Sequence, residues 1–255
     1  YWGEWVVDHT HIDGFRLDAV KHINPDFIKE WLEHLDTKYN KKFFIVAEDW
    51  NVDNYESQLE YIKLMEGRTQ IFDSLLHHNF FIASKEGNTF DMRTILNNTL
   101  VEMAPDSAVT FVDNHDSQPL QALESYVDFW FRPIAYAIIL LRIQGIPCLF
   151  FPDLYGGIYD DKDKEGDVVH VELAILPEVE MMSKIRAAFA YGEQHDYFDH
   201  GNCIGWTRSG DNHKNSGLAV VLSNSEEGYK TMEIGTRFAG KTFIDALGHR
   251  PQEVV

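Results

Sequence analysis

The sequence is poor in cysteine, in basic residues and in long apolar runs, and each shortage excludes a class of protein. Its 255 residues include only two cysteines, Cys148 and Cys203, too few for a disulfide scaffold. Lys and Arg number 22 against 41 Asp and Glu, so the formal net charge is −19. Such a charge opposes binding to nucleic acid or to an anionic membrane. No apolar run reaches the roughly 18 residues of a membrane span. We therefore expect neither partner.

What the sequence has is enough apolar material for a large core. Hydrophobic residues make up 44% of the chain, which fits one large domain or one and a half smaller ones. The chain begins at Tyr1 rather than at an initiator Met. The lack of a signal peptide therefore says little about the parent gene product, and we predict no compartment.

Strand-like and helix-like segments alternate along the first three quarters of the chain. The first strand is predicted over 12–18, and the pair Asn24-Pro25 then predicts the start of a helix that reaches about Tyr39. The apolar run 43–47 is typical of a parallel strand buried on both faces. The same patterns predict helices over about 54–65, 78–84, 91–100, 129–144 and 177–191, and strands over 70–72, 108–112 and 148–151. This alternation predicts right-handed βαβ units and a parallel sheet.

The pattern changes after Gly192. Short strands predicted over 204–208, 218–223, 230–234 and 242–245 are separated by Gly, Asn and Ser turns, which is typical of antiparallel structure. We therefore predict a boundary near residue 192, with one domain over 1–191 and a β-rich domain over 192–255.

Three of the predicted strands end in an acid: Asp18, Glu48 and Asp116. In a (β/α)₈ barrel the active site lies at the C-terminal ends of the strands. Glycoside hydrolysis needs two carboxyl groups that flank the scissile bond. A single acid at a strand end is more often a cap for the next helix, but three such acids in polar clusters favour a catalytic site. Arg16 lies two residues before Asp18, so both side chains project from the same face of the strand.

Three segments around these acids resemble motifs of the α-amylase family. They are GFRLDAVKH at 14–22, VAED at 46–49 and FVDNHD at 111–116, and they match in order, spacing and strand context. YGEQHDYFDH at 191–200, with the GWTR and NSGLAV segments after it, resembles the start of the β-rich C-terminal domain of bacterial liquefying-type α-amylases. The resemblance implies an α/β fold: the C-terminal half of a TIM (β/α)₈ barrel, strands four to eight, followed by the start of an antiparallel β domain.

The resemblance also implies a catalytic role for each acid. Asp18 would be the nucleophile, Glu48 the general acid and then base, and Asp116 the residue that stabilises the transition state. The reaction would be endo-hydrolysis of α-1,4-glucosidic bonds in starch, glycogen or maltooligosaccharides, with retention of the α-configuration and without an organic cofactor. A transglycosylase or oligo-α-glucosidase would use the same carboxylates, so both stay open as alternatives.

Five further residues would contact the substrate if the resemblance holds. Arg16 would orient Asp18, and His115 would bind the same sugar ring. Lys21 and His22 would line the leaving-group side. Trp50 would offer a stacking face to a glucose ring, although a core tryptophan is an equal alternative.

The chain also departs from the family pattern. It has no counterpart of the first three barrel strands, so we expect a fragment that starts before strand four. Half a barrel leaves sheet edges and apolar faces open, which predicts self-association and little activity for the 255 residues alone. A catalytically silent chain that at most binds glucan is therefore a further alternative. Pro152 stands where the family usually has Gly, and Leu120 stands where a small residue is expected.

Calcium is the one cofactor that the resemblance implies. Most of its ligands would come from parts that this chain does not contain, and only the backbone carbonyl of His22 would be contributed here. A second candidate has the spacing of an EF-hand loop, although no helix precedes it and a solvated acidic loop is the alternative. Its acidic members are Asp161, Asp163, Glu165, Asp167 and Glu172. A third candidate is the pair His195-Asp196, for which a buried polar pair is an equal alternative.

Overall fold

A computed structural model describes residues 1–212 and 216–250. The β-strands in these residues are β1 (Gly14–Leu17), β2 (Phe44–Ala47), β3 (Gln70–Phe72), β4 (Ala108–Thr110), β5 (Ile146–Pro147), β6 (Gly157–Lys162), β7 (Val168–Leu173), β8 (Gln194–His200), β9 (Cys203–Arg208) and β10 (Leu218–Ser223). The α-helices are α1 (Trp2–Thr10), α2 (Pro25–Tyr39), α3 (Tyr55–Leu64), α4 (Ser74–Glu86), α5 (Leu100–Met103), α6 (Arg132–Leu141), α7 (Phe151–Tyr155) and α8 (Pro177–Phe189). None of these helices combines the length and the apolar character that crossing a membrane requires.

The first five strands form one sheet in chain order, β1-β2-β3-β4-β5. The pairs β1–β2, β2–β3 and β3–β4 are parallel, and helices connect successive strands. This sheet confirms the predicted α/β class. Two antiparallel sheets follow in the chain: the hairpin β6–β7 and the three-stranded sheet β10-β9-β8.

The chain divides into two compact units, which are described separately below. The first unit consists of 1–76, 97–110 and 144–146, and the second consists of the described residues among 77–96, 111–143 and 147–255. The first unit holds β1 to β4 and the second holds β6 to β10. The domain boundary near residue 192 stays a prediction.

Several elements begin where the sequence predicts. The side chains of Asn24 and Asn54 cap α2 and α3 by accepting hydrogen bonds from the amides of Asp26 (2.8 Å) and Glu56 (3.1 Å). Pro25 is the first residue of α2. Ile28, Leu32 and Leu35 of α2 are buried, as their helical spacing predicts. Helix capping and helical spacing depend on residues that are close together in the sequence, so both can be predicted from the sequence alone.

Other elements differ from the prediction. The strand expected over 148–151 is wrong, because β5 ends at Pro147 and α7 begins at Phe151 with Pro152 in its first turn. The helix expected over 91–100 is wrong as well: the segment holds a single 3₁₀ turn, Met92–Thr94, before α5 begins at Leu100. No strand forms over 230–234. The hairpin β6–β7 and the strand β8 were not predicted.

Candidate active site

The first pair of predicted catalytic acids lies at the ends of two neighbouring strands in the first unit. The register of β1 and β2 pairs Arg16 with Val46 and Leu17 with Ala47. The ladder continues beyond the strands, because the amide of Glu48 donates to the carbonyl of Leu17 (2.8 Å). Asp18 and Glu48 are therefore the next positions on adjacent strands, whose backbones run about 4.8 Å apart.

The carboxylate of Glu48 takes part in the turn that follows Asp18. Its Oε2 atom accepts a hydrogen bond from the amide of Ala19 (2.8 Å), and its backbone carbonyl accepts one from Val20 (3.0 Å). Ala19 adopts a left-handed conformation with φ 47°, which a non-glycine residue rarely adopts without support. Glu48, which is only 8% exposed, thus fixes the backbone next to Asp18.

Asp18 is exposed, in contrast to Glu48. Its side chain is 70% exposed, and its Oδ1 atom lies 2.6 Å from Nη1 of Arg16. This charge-assisted contact orients the carboxylate and confirms that the two side chains share one face of the strand. The exposed carboxylate is open to a ligand.

Lys21, His22 and Trp50 lie next to this pair of strand ends. The ammonium group of Lys21 donates to the backbone carbonyl of Trp50 (2.8 Å), which ties the turn after β1 to the segment after β2. His22 ends the 3₁₀ turn Val20–His22 and is exposed. Trp50 is half-buried. The structure therefore gathers Arg16, Asp18, Lys21, His22, Glu48 and Trp50 within one unit.

Gln58 is a residue of this region that the sequence analysis missed. It is fully buried, and its Nε2 atom lies within hydrogen-bonding distance of the carbonyls of Asp49 (2.9 Å) and Phe72 (3.0 Å) and of Oγ of Ser74 (3.0 Å). One side chain therefore joins the ends of β2 and β3.

Asp49, next to Glu48 in the chain, is also buried. Burial raises the pKa of the Asp49 carboxyl, and the charge of Lys21 opposes that shift.

The third predicted acid, Asp116, lies in the second unit together with His115. The Oδ1 atom of Asn114 accepts hydrogen bonds from the amides of Asp116 (2.9 Å) and Ser117 (2.8 Å), which forms a tight turn. The hydroxyl of Ser117 donates in turn to Oδ1 of Asp113 (3.1 Å). Nε2 of His115 is 3.3 Å from Oδ2 of Asp116. His115 is exposed and Asp116 half-buried, so both are accessible.

A buried ionic network anchors this turn. Arg132 contacts Oδ2 of Asp113 (3.2 Å) and Oδ1 of Asp153 (2.5 Å), and Tyr136 donates to the second oxygen of Asp153 (2.5 Å). All four residues are buried. Burial raises the pKa of both carboxyls, and the guanidinium of Arg132 opposes that shift. The sequence analysis did not predict this network. The sequence indicates it only through Asp113, the first acid of FVDNHD, and Asp153, the acid of FFPDLYG.

The acidic segment that has EF-hand spacing forms the hairpin β6–β7. Oδ1 of Asp163 accepts the amides of Glu165 (3.0 Å) and Asp167 (2.9 Å), so this carboxylate stabilises the turn. Glu172 pairs with Ile158 at the far end of the hairpin and is not brought to the turn. Within residues 1–212 and 216–250, no three His, Cys, Asp or Glu side chains form a group that could hold a metal. The structure therefore does not support this calcium site.

The other two metal candidates gain no support either. The His22 carbonyl would be a single ligand, and calcium takes six to eight oxygens. Asp196 instead forms a bidentate ion pair with Arg142, with both N–O distances at 2.8 Å. Calcium binding stays a prediction.

Two solved structures share the fold. A cyclomaltodextrin glucanotransferase superposes with a TM-score of 0.59 over 86% of this chain and 46% of its own, at 18% identity. A maltogenic α-amylase of Thermotoga neapolitana superposes with a TM-score of 0.52 over 87% of this chain and 51% of its own, at 15% identity. These similarities, with the parallel sheet and the antiparallel sheets after it, confirm a partial (β/α)₈ barrel followed by a β domain.

Sequence relatives are more specific. No model of a known protein family matches the chain. The chain is 46% identical over its whole length to the cytoplasmic α-amylase of Escherichia coli K12. It is 45% and 44% identical to the α-amylases of Geobacillus stearothermophilus and Bacillus licheniformis, over 99% and 100% of its length. The chain is thus similar to α-amylases along its whole length. It spans about half the length of these relatives: 51%, 44% and 48% respectively.

Proposed function

We propose that this chain carries the catalytic carboxylates of a retaining glycoside hydrolase that cleaves α-1,4-glucans. The observation that supports this most is the position of Asp18 and Glu48 one step beyond the Leu17–Ala47 pair. Retaining glycosidases hold their two carboxyl groups only about 5–5.5 Å apart. Adjacent parallel strands about 4.8 Å apart are suited to that separation, whereas an inverting pair needs room for a water molecule.

In the proposed reaction Asp18 is the nucleophile. Its exposed carboxylate attacks the anomeric carbon, and the glucosidic C–O bond breaks as Glu48 donates a proton to the leaving oxygen. The glucosyl group is then linked to Asp18 in the β-configuration. Glu48 next removes a proton from water, which attacks the same carbon and releases a product of α-configuration. Two inversions thus give net retention.

The remaining site residues support the two steps. Arg16, 2.6 Å from Asp18, orients the nucleophile. Asp116 binds hydroxyls of the distorted ring and stabilises the oxocarbenium-like transition state, and His115 binds the same ring. Lys21 and His22 contact the leaving-group side, and the half-buried Trp50 provides a stacking surface.

The substrate class rests on the relatives. Besides the α-amylases, a glucan 1,4-α-maltohexaosidase of Bacillus sp. strain 707 is 43% identical over 98% of this chain, which spans 46% of that protein. We therefore propose starch, glycogen or maltooligosaccharides as substrates, cleaved within the polymer.

A second candidate is a chain that binds glucan without turning it over. The observation that favours it is the number of strands in the first sheet: five in the described residues, against eight in a closed barrel. Open sheet edges would also favour self-association.

One assay separates the two candidates. The chain is incubated with a maltooligosaccharide that bears a chromogenic leaving group and a blocked non-reducing end. Asp18→Asn is the test variant, and Asp26→Asn, a change in the exposed first turn of α2, is the matched control. Turnover that Asp18→Asn lowers by at least about 10³-fold, and that the control retains, supports the hydrolase. Binding without turnover supports the second candidate.

A further inference from the structure

The hairpin β6–β7 presents two different faces. Along β6, Tyr159 and Asp161 are half-buried, whereas Ile158 and Asp160 are exposed. This alternation is that of a strand with one face turned toward the protein. On this face β7 contributes the apolar side chains of Val169, Val171 and Leu173. The side chains that can make directional hydrogen bonds there are those of Tyr159 and Asp161 on β6.

Both polar side chains of that face contact one short segment of the second unit. The hydroxyl of Tyr159 donates to the backbone carbonyl of Pro119 (2.5 Å), and Nε2 of Gln121 donates to Oδ2 of Asp161 (2.8 Å). The other oxygen of Asp161 accepts the amide of Lys162 (2.7 Å). Both oxygens of Asp161 thus have partners within the protein, and the contacted segment begins three residues after Asp116.

The contacted segment lies in a loop, residues 116–125, that closes on Asp116 itself. The amide of Leu123 donates to the carbonyl of Asp116 (3.1 Å), and the amide of Ser125 donates to the carbonyl of Ser117 (3.0 Å). Leu120 lies inside the loop with φ 65°, a conformation that costs energy for a bulky residue without a β-branch as well as for a β-branched one. A displacement at 119–121 is therefore transmitted to the backbone of Asp116 through hydrogen bonds.

We propose that Tyr159 and Asp161 are positioning residues for the active site: by holding loop 116–125 they fix the place of Asp116. The inference rests on the proposed role of Asp116 and extends it. It assigns a function to the acidic hairpin that does not require a metal. It also makes the hairpin a determinant of rate rather than of substrate contact.

The test removes the two contacts while keeping side-chain shape. The double variant Tyr159→Phe/Gln121→Met loses both hydrogen bonds. The control is Asp160→Asn, which weakens the exposed pair of Asp160 with His170 (2.6 Å) on the other face of the same hairpin. Amide hydrogen exchange is measured at Leu123 and Ser125. We expect exchange about tenfold faster in the double variant and unchanged exchange in the control.

Steady-state kinetics on the blocked maltooligosaccharide form the second arm. A displaced Asp116 weakens interactions made in the transition state, so we expect kcat to fall about tenfold with KM within about twofold. Unchanged exchange in the double variant would overturn the proposal, and so would faster exchange with unchanged kcat. An inactive parent chain would instead favour the candidate that binds glucan without turnover, and the exchange arm alone would then decide whether the hairpin holds the loop.

Discussion

At the ends of β1 and β2, backbone hydrogen bonds hold Asp18 and Glu48, whereas side chains shape the turn that carries Asp116 and backbone hydrogen bonds close the loop after it. In the first case the register of two parallel strands places the acids, and Glu48 adds one bond to Ala19. In the second case Asn114, Ser117 and Asp113 shape the turn. Many backbone hydrogen bonds along the sheet fix the pairing of parallel strands, so no single side chain is essential to it. A side-chain network, in contrast, is broken when any one of its residues is replaced. Single substitutions should therefore affect the second region more than the first.

The largest effect should come from the centre of the buried network. Arg132→Met leaves the carboxyl groups of Asp113 and Asp153 buried without a positive charge. We expect the free energy of unfolding to fall by about 3–5 kcal/mol, measured by urea denaturation. Arg93→Met is the control, because it removes an exposed ion pair with Asp91, and the urea midpoint should not move. Equal losses in the two variants would show that burial of the network contributes nothing.

A smaller effect is expected where the backbones of β1 and β2 approach each other. A Cβ atom on Gly14 would overlap the carbonyl oxygen of Phe44, so Gly14→Ala must push the two strands apart. We expect a loss of about 1–3 kcal/mol in urea denaturation. The control Gly157→Ala meets only ordinary contacts, the nearest at 3.5 Å, and should be close to neutral. A neutral Gly14→Ala would show that the close approach of β1 and β2 does not position Asp18 and Glu48.

An effect of similar size is expected in the dependence of stability on pH. His77 is buried between the carbonyl of Val112 (2.6 Å from Nδ1) and the hydroxyl of Ser125 (3.0 Å from Nε2), and burial lowers its pKa to about 4. The unfolded chain, with a His pKa of about 6.5, binds the proton first. The contribution of His77 to the free energy of unfolding is therefore complete above pH 6.5. It falls as the pH drops toward 4, by about 2 kcal/mol between pH 7 and 5.

The measurement compares urea unfolding at pH 7 and pH 5 for the parent and for His77→Asn. The variant should lose less stability on acidification than the parent does. Asp73 and Asp113, whose pKa values burial raises to about 6 and about 7, add stability as the pH falls, and both are present in both proteins. Asp113 lies 3.9 Å from Nδ1 of His77, so the comparison reports the two groups together. An identical pH response of the two proteins would contradict the assignment.

The same contrast explains what the sequence could predict. Asp18, Arg16 and Glu48 lie in short segments in which a strand pattern and a family motif coincide. The sequence of these segments was therefore sufficient to predict that the three residues belong to one site. The Arg132 network joins residues up to 40 positions apart, and no local pattern links Asp113 to Asp153. The hairpin β6–β7 was missed because its turn is dense in charge and resembled a solvated or calcium-binding loop. Two features of the sequence did indicate a hairpin. They are the run of β-branched residues in β7 and Gly166, which adopts φ 91° in the turn.

The central claim is that Asp18 and Glu48 form a retaining pair, and the configuration of the first product tests it most directly. Hydrolysis of a maltooligosaccharide by the chain is followed by proton NMR before mutarotation equilibrates the anomers. The separation expected for adjacent strands predicts that the α-anomer appears first and the β-anomer grows only as mutarotation proceeds. Initial release of the β-anomer would show inversion, and it would contradict the assignment of Asp18 as the nucleophile.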